Sequence, residues 1–375
     1  MIYLDNAATT WPKPNEVVEA VTKSMRSYGA NPGRSGHKMA IKTLEKVYEC
    51  RELVADFFGL ENPENAIFTS NATASLNLAI RGILKKGDHA ICTVMDHNSV
   101  LRPLHSLVPK TELSIAEADA DGFVSVNSVK NLIRENTRLV VMPHVSNVCG
   151  TVMPIEDVAK MCREKGILFL LDASQSAGVI KINMTDMNID LLAAPGHKSL
   201  YGPMGTGLLL INTKEELDPL ISGGTGSYSK ELTQPTELPD RFESGTLNLP
   251  GICGLGEGIR YINKIGISNI CEHETGLTSY LLNGLNNIKG IKVIGKKTIN
   301  GRTAVVSFVH NEKDSVEVAD YLNSSFSIAT RALYHCAYKA HQALGTADCG
   351  TVRISPGIFN TLPEIKLLLY AIEHI

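Results

Sequence analysis

From about residue 16 to 212, short apolar runs alternate with segments whose apolar residues recur at helical spacing. AIFTS is followed by ATASLNLAIRGIL, HAICTV by NSVLRPLHSL and LVVMPHV by IEDVAKMCREKG, while ILFLLDA and IDLLAA continue the apolar series. Runs that are apolar throughout, and not on alternate positions, suit strands covered on both faces. Their alternation with helical patterns predicts βαβ units and an α/β fold with a mostly parallel sheet. Ligands of such sheets bind beyond the carboxyl ends of the strands. The polar and glycine-rich pieces TSNAT, MDHNS, SNVCGT, DASQS and APGHKSLYGP follow the strands and so fall where a site belongs.

Residues 222–250 (SGGTGSYSKELTQPTELPDRFESGTLNLP) lose this periodicity and read as a long functional loop. Beyond them come helical patterns in GICGLGEGIRYINKIG and HETGLTSYLLNGLNNI, an alternating strand in TAVVSFVH and a last helix in LPEIKLLLYAIEHI. The division this suggests is a large α/β domain over 16–250, with 1–15 and 251–375 forming a smaller α+β domain. A chain of 375 residues is long enough to give each its own core. There is no internal repeat and no low-complexity tract.

Composition narrows the partners. The formal charge of −3 comes from 36 basic and 39 acidic residues spread along the chain, which leaves no broad basic surface for nucleic acid or an anionic membrane. A small molecule or another protein is the expected partner. MIYLDNAATT lacks the charged start and apolar core of a signal peptide, and no apolar run approaches the ~20 residues needed to span a bilayer, so a cytoplasmic location is expected. The eight cysteines contain no CxxC pair and read as reduced packing residues unless their context says otherwise.

The stretch around Lys198 raises the question of chemistry. GHKS superficially resembles the end of a nucleotide-binding loop. A histidine separates Gly196 from Lys198, however, and the glycine that should precede that element by five positions is missing. A solvated lysine and a covalent cofactor anchor both remain open. An anchor for a pyridoxal-type cofactor needs a carboxylate for the ring nitrogen, donors for a phosphate and a group against the ring. Asp172 ends ILFLLDA and can pair with a pyridinium or cap the next turn. TSNATASLN opens a helix after a strand, so the backbone at Ala72 and Thr73 can receive a phosphate, although Thr73 can equally be an N-cap. His97 in MDHNS can stack on a ring or serve structure alone. His335, Cys336, His341 and Cys349 are of metal-ligand types, but their spacing matches no zinc framework, and no metal is expected.

YLDNAATT, FTSNATASLN, MDH, HVSNVCGT, DASQSAG, PGHKSLYGPMGTG, FESGTLN and RALYHCA followed by VRISPGIFNT occur in this order from end to end. Together they resemble the class-V pyridoxal 5'-phosphate (PLP) enzymes of fold type I, and within them the cysteine desulfurases of the SUF type, relatives of selenocysteine lyases. The resemblance implies that Lys198 is the covalent anchor of PLP, Asp172 the partner of its ring nitrogen, and Gln175 a donor to its phenolic oxygen. It implies that His97 stacks on the ring and helps to deprotonate the substrate thiol. Asn147 would lie near the cofactor oxygen and the substrate carboxylate. Ala72, Thr73 and His197 would hold the phosphate, with Thr246 reaching it from the second subunit of a homodimer. Cys336 would be the sulfur-accepting nucleophile and Arg353 the ligand of the substrate carboxylate, which suits its bidentate fork. L-cysteine would become L-alanine, and sulfur would pass to an acceptor protein.

Two departures from the family pattern stand out. Pro195 occupies a position where many relatives carry a hydroxyl, which removes a side-chain donor to the phosphate, and Leu333 and Tyr334 place bulk beside Cys336. The alternatives are a selenocysteine lyase on the same scaffold, a class-V aminotransferase in which Cys336 is incidental, and a cofactor-free scaffold or sulfur-relay protein.

Overall fold

The computed structural model describes residues 1–32 and 36–375. In chain order, β1 (Ile2–Tyr3), α1 (Asn15–Ser27) and α2 (Lys38–Phe58) lead into β2 (Ala66–Thr69), α3 (Ala72–Ile83), β3 (His89–Thr93) and α4 (Asn98–Leu107). There follow β4 (Glu112–Ala116), α5 (Val126–Lys130), β5 (Thr137–Pro143), α6 (Ile155–Glu164), β6 (Leu168–Asp172), β7 (Leu191–Pro195) and β8 (Gly207–Ile211). Seven of these strands form one sheet in the order β2-β8-β7-β6-β5-β3-β4. β8 alone runs against its neighbours, because the tight turn after β7 returns the chain alongside it.

The all-apolar strands are explained by two cores, one on each face. Alternate residues of β6 divide between them: Phe169 and Leu171 join one cluster, Leu168 and Leu170 the other. α3 and α4 cover the second face with Leu76, Ile80, Val100 and Leu104. α2 and α6 cover the first with Val54, Phe58, Val158 and Cys162.

No regular element lies between Ile211 and Leu249. The chain then forms α7 (Leu249–Ile265), α8 (Ile267–Asn287), β9 (Ile291–Ile294), β10 (Val306–His310), α9 (Ser315–Phe326), β11 (Ile328–Ala329), α10 (Tyr338–Ala343), β12 (Val352–Ile354) and α11 (Leu362–Glu373). An antiparallel sheet in the order β12-β10-β9 packs with α8, α9 and α11 around a third core containing Leu281, Phe308, Leu322 and Leu368. β1 pairs in parallel with β11, and Leu4 enters that third core. α7 behaves differently from what a division at residue 250 implies: Ile252, Leu255 and Ile259 belong to the core of the large sheet, and the helix packs on α1 and α2. Among the described residues, no helix is long and apolar enough to cross a membrane.

Candidate active site

One cavity gathers most of the residues singled out from the sequence: Ala72, Thr73, His97, Asn147, Asp172, Gln175, Pro195, His197, Lys198 and Arg353 all line it. They arrive from the carboxyl ends of β2, β3, β5, β6 and β7 and from β12. Lys198 sits on the β7–β8 turn, which is held by hydrogen bonds from Gly196 N–H to the Thr206 carbonyl (2.9 Å) and from Gly202 N–H to the Gly196 carbonyl (2.8 Å). Only glycine fits at 196, since a Cβ there would lie 2.2 Å from Thr206 Oγ1. Burial pushes the Lys198 amine down to about 8 even though Asp172 pulls it upward; Arg353 and Arg331 add to the fall. The buried Asp172 carboxylate accepts the Ser174 N–H at 2.9 Å.

α3 begins at Ala72, and Asn71 is its N-cap: the Asn71 side chain accepts the Ala74 N–H at 2.9 Å. This settles the alternative for Thr73, which is not the cap but stands in the first turn, where backbone N–H groups have no helical partner. His197 contributes an Nδ1 that is buried without a hydrogen-bond partner, while its carbonyl accepts Thr9 Oγ1 (3.0 Å) and Lys13 Nζ (2.6 Å). Burial, then Lys198 and Lys13, hold its ring down at about 4, so it is neutral near pH 7. Gln175 donates through Nε2 to the Ala7 carbonyl at 3.0 Å. Pro195 lines the cavity and has no donor to offer.

Arg353 is fixed from two sides. Its Nη2 donates to Asp5 Oδ1 (2.8 Å) and its Nη1 to the Asn147 carbonyl (3.0 Å), leaving Nε buried and unpartnered. Asn147 in turn donates through Nδ2 to the His335 carbonyl at 2.7 Å. Cys336 does not line the cavity: it is exposed, on a loop where Leu333 (φ 73), His335 (φ 49) and Cys336 (φ 58) all adopt left-handed backbone. The Cys336 carbonyl accepts the Asn98 N–H at 2.9 Å, so the loop is tied to the residue after His97. His335 Nε2 and His341 Nδ1 pair with Thr351 (2.8 Å) and Thr346 (2.7 Å) hydroxyls. Thr246 lies outside its own chain's cavity; it is exposed, at the edge of an apolar pocket that includes Ile221 and Leu247.

Three participants were not singled out from sequence. Arg331 lines the cavity beside Arg353, with which it forms an antiparallel backbone bridge; its position at the head of RALYHCA was the available signal. Ser99 lines it beside Thr73, and Asp5 supports Arg353. The cationic groups Lys198, Arg331 and Arg353 outweigh Asp172 along the wall, which suits a ligand carrying a phosphate and a carboxylate. The orphaned His197 Nδ1, the open helix start at Ala72 and Thr73, the desolvated Lys198 amine and the buried Asp172 carboxylate together fit a phosphorylated aldehyde with a cationic ring.

The aminotransferase class-V family matches residues 2–368. A probable cysteine desulfurase of Pyrococcus abyssi (strain GE5 / Orsay) is 37% identical over the whole of this chain and 94% of the relative. One from Methanothermobacter thermautotrophicus is 35% identical over the same shares. Among solved structures, a cysteine desulfurase from Thermococcus onnurineus NA1 superposes with a TM-score of 0.94 at 34% identity, over 100% of this chain and 94% of that one. The chain therefore belongs to the class-V aminotransferase family. Within it, its neighbours are proteins named as cysteine desulfurases.

Proposed function

We propose that this chain is a PLP-dependent cysteine desulfurase that converts L-cysteine to L-alanine and carries the sulfur as a persulfide on Cys336. The observation that carries the reading is the meeting of Lys198, Asp172 and His97 in one cavity whose wall also presents Arg353. When bound, PLP supplies a sink for the electron pair left when the substrate Cα–H bond breaks. Lys198 would be its covalent anchor, and the buried Asp172 would balance a positive ring nitrogen. His97 would pack against the ring and Gln175 would hydrogen-bond its phenolic oxygen. Backbone N–H groups of Ala72 and Thr73 with the His197 ring would receive the phosphate. The substrate carboxylate docks on Arg353, with Asn147 beside it and Arg331 adding charge. An amine held near 8 is unprotonated in a useful fraction at neutral pH, so Lys198 can take the Cα proton and return it.

Cys336 attacks the substrate sulfur as the thiolate. The new S–S bond forms as the substrate C–S bond breaks, and carbon takes the electron pair and a proton, giving alanine and one persulfide. The exposure of Cys336 supports delivery of that sulfur to a thiol of an acceptor protein. The position of Thr246, exposed and away from its own cavity, supports a homodimer in which it reaches the other copy's phosphate.

The test is a product assay with L-cysteine and L-selenocysteine side by side, reading alanine and the mass of Cys336. Lys198→Ala is expected to lose the visible absorbance of bound PLP. Cys336→Ala is expected to keep it and form no persulfide. Alanine production by Cys336→Ala at the wild-type rate removes the nucleophile, and a keto acid product would mean transamination.

A further inference from the structure

His97 is the N-cap of α4, and its Nδ1 accepts the backbone N–H of Ser99 at 3.1 Å. A backbone N–H can only donate, so Nδ1 carries a lone pair, and in the neutral ring the proton resides on Nε2. Ser99 Oγ lies 2.9 Å from the same Nδ1. That contact is a hydrogen bond only if the hydroxyl donates to the ring. Ser99 Oγ also lies 2.7 Å from Thr73 Oγ1. With the Ser99 proton committed to His97, the Thr73 hydroxyl must be the donor in that pair. The direction of every proton in the chain is thereby set, from Thr73 to Ser99 to His97.

We infer that Ser99 is a positioning residue that couples the phosphate side of the cavity to His97 and holds the ring as its Nε2–H form, a hydrogen-bond donor toward ligands and not a base. This rests on the desulfurase reading of the site. Two consequences follow from the hydroxyl count. The single proton of Thr73 is spent inside the protein, so at this corner the phosphate relies on backbone N–H groups and His197. His97 is also unsuited to take the proton of the substrate thiol, a role the family resemblance had implied. The charged groups facing the ring are Asp172, Lys198, Arg331 and Arg353, and of these the Lys198 amine is the one poised to accept a proton near neutrality.

The test uses PLP-loaded protein with ¹⁵N-labelled histidine rings, the His97 signals being assigned by their loss in His97→Gln. The wild type is expected to show an unprotonated Nδ1 and a protonated Nε2. Thr73→Val touches no ring atom, yet is expected to move the Nδ1 signal; Ser99→Ala is expected to move it further, and Ser99→Thr to restore it. Removing a link is expected to weaken PLP binding about two- to tenfold, the value of one hydrogen bond, in a spectroscopic titration. A protonated Nδ1 in the wild type, or an unmoved His97 signal in Thr73→Val, overturns the inference. Because Thr73→Val and Ser99→Thr bracket the relay, a Ser99→Ala protein that fails to fold leaves the test intact. Alanine release from L-cysteine, measured on the same wild-type sample, reports separately on the desulfurase reading.

Discussion

Asp5→Asn isolates the support of Arg353, the proposed ligand of the substrate carboxylate. The Arg353 and Asp5 side chains are 3% and 19% exposed, so their contact is poorly screened by solvent. Asparagine keeps the shape and one acceptor oxygen but removes the charge. A hydrogen bond to a charged partner contributes about 1.5–3 kcal/mol, and one between neutral groups about 0.5–1.5, although here the guanidinium keeps its own charge. The expected loss is therefore about 1 to 1.5 kcal/mol, or roughly five- to tenfold in binding. The Asn147 carbonyl still holds the other arm of the guanidinium, so the site loosens without collapsing. Steady-state kinetics on the PLP-loaded variant should show KM for L-cysteine raised by that factor and kcat within about twofold, the pattern of lost uniform binding. A fall in kcat at unchanged KM would place Asp5 in the chemistry. No change in either would show that Arg353 stands without it. Either result refutes the reasoning.

Two further predictions concern stability and its pH dependence. The Arg51–Glu243 pair joins α2 to the irregular segment before α7 at 2.7 Å, with side chains only 4% and 5% exposed, so Arg51→Met strands a buried carboxylate at a cost of about 3–5 kcal/mol. Burial already raises Glu243 above its usual range and Arg51 opposes this; without Arg51 it rises further, so the melting-temperature penalty should be larger at pH 8 than at pH 5.5, and an equal or inverted penalty refutes it. Burial also raises Glu274, on α8, to about 8. The folded protein then keeps a proton that the unfolded chain releases near pH 4.5, so this contribution is complete below that value and is lost as pH rises to about 8, at roughly 1.4 kcal/mol per unit. Glu274→Gln should match the wild type near pH 4.5 and exceed it in melting temperature at pH 8; parallel curves would be the contrary result.

The strands were legible because burial on both faces forces runs such as the LFLL of β6 and GLLLI to be apolar throughout, a pattern that surface segments seldom show. The partner of α7 was not. An amphipathic face states that a helix is covered, not by which core, and the periodicity of GICGLGEGIRYINKIG suits either unit. The antiparallel course of β8 was implicit in the short turn that carries Lys198, but the run GLLLI carries no direction of its own. In the site, Lys198, Asp172 and His97 could be placed because Asp172 ends a strand and the other two follow one. Ser99, Arg331 and Asp5 act through contacts with chain segments far away in sequence: Ser99 and Thr73 are 26 positions apart, and Asp5 and Arg353 are 348 apart. No local spacing encodes such pairs.

The union of Asp5 with Arg353 also has a consequence for how the enzyme comes into being. On a ribosome adding about 5–20 residues per second, the 348 positions between them take between roughly 17 and 70 s to make. Throughout that interval the large sheet can form and the lysine-bearing turn can close, while Arg353, the proposed ligand of the substrate's carboxylate, does not yet exist. The nascent chain can thus fold the sheet and the turn that carries Lys198 before the proposed carboxylate ligand has been made.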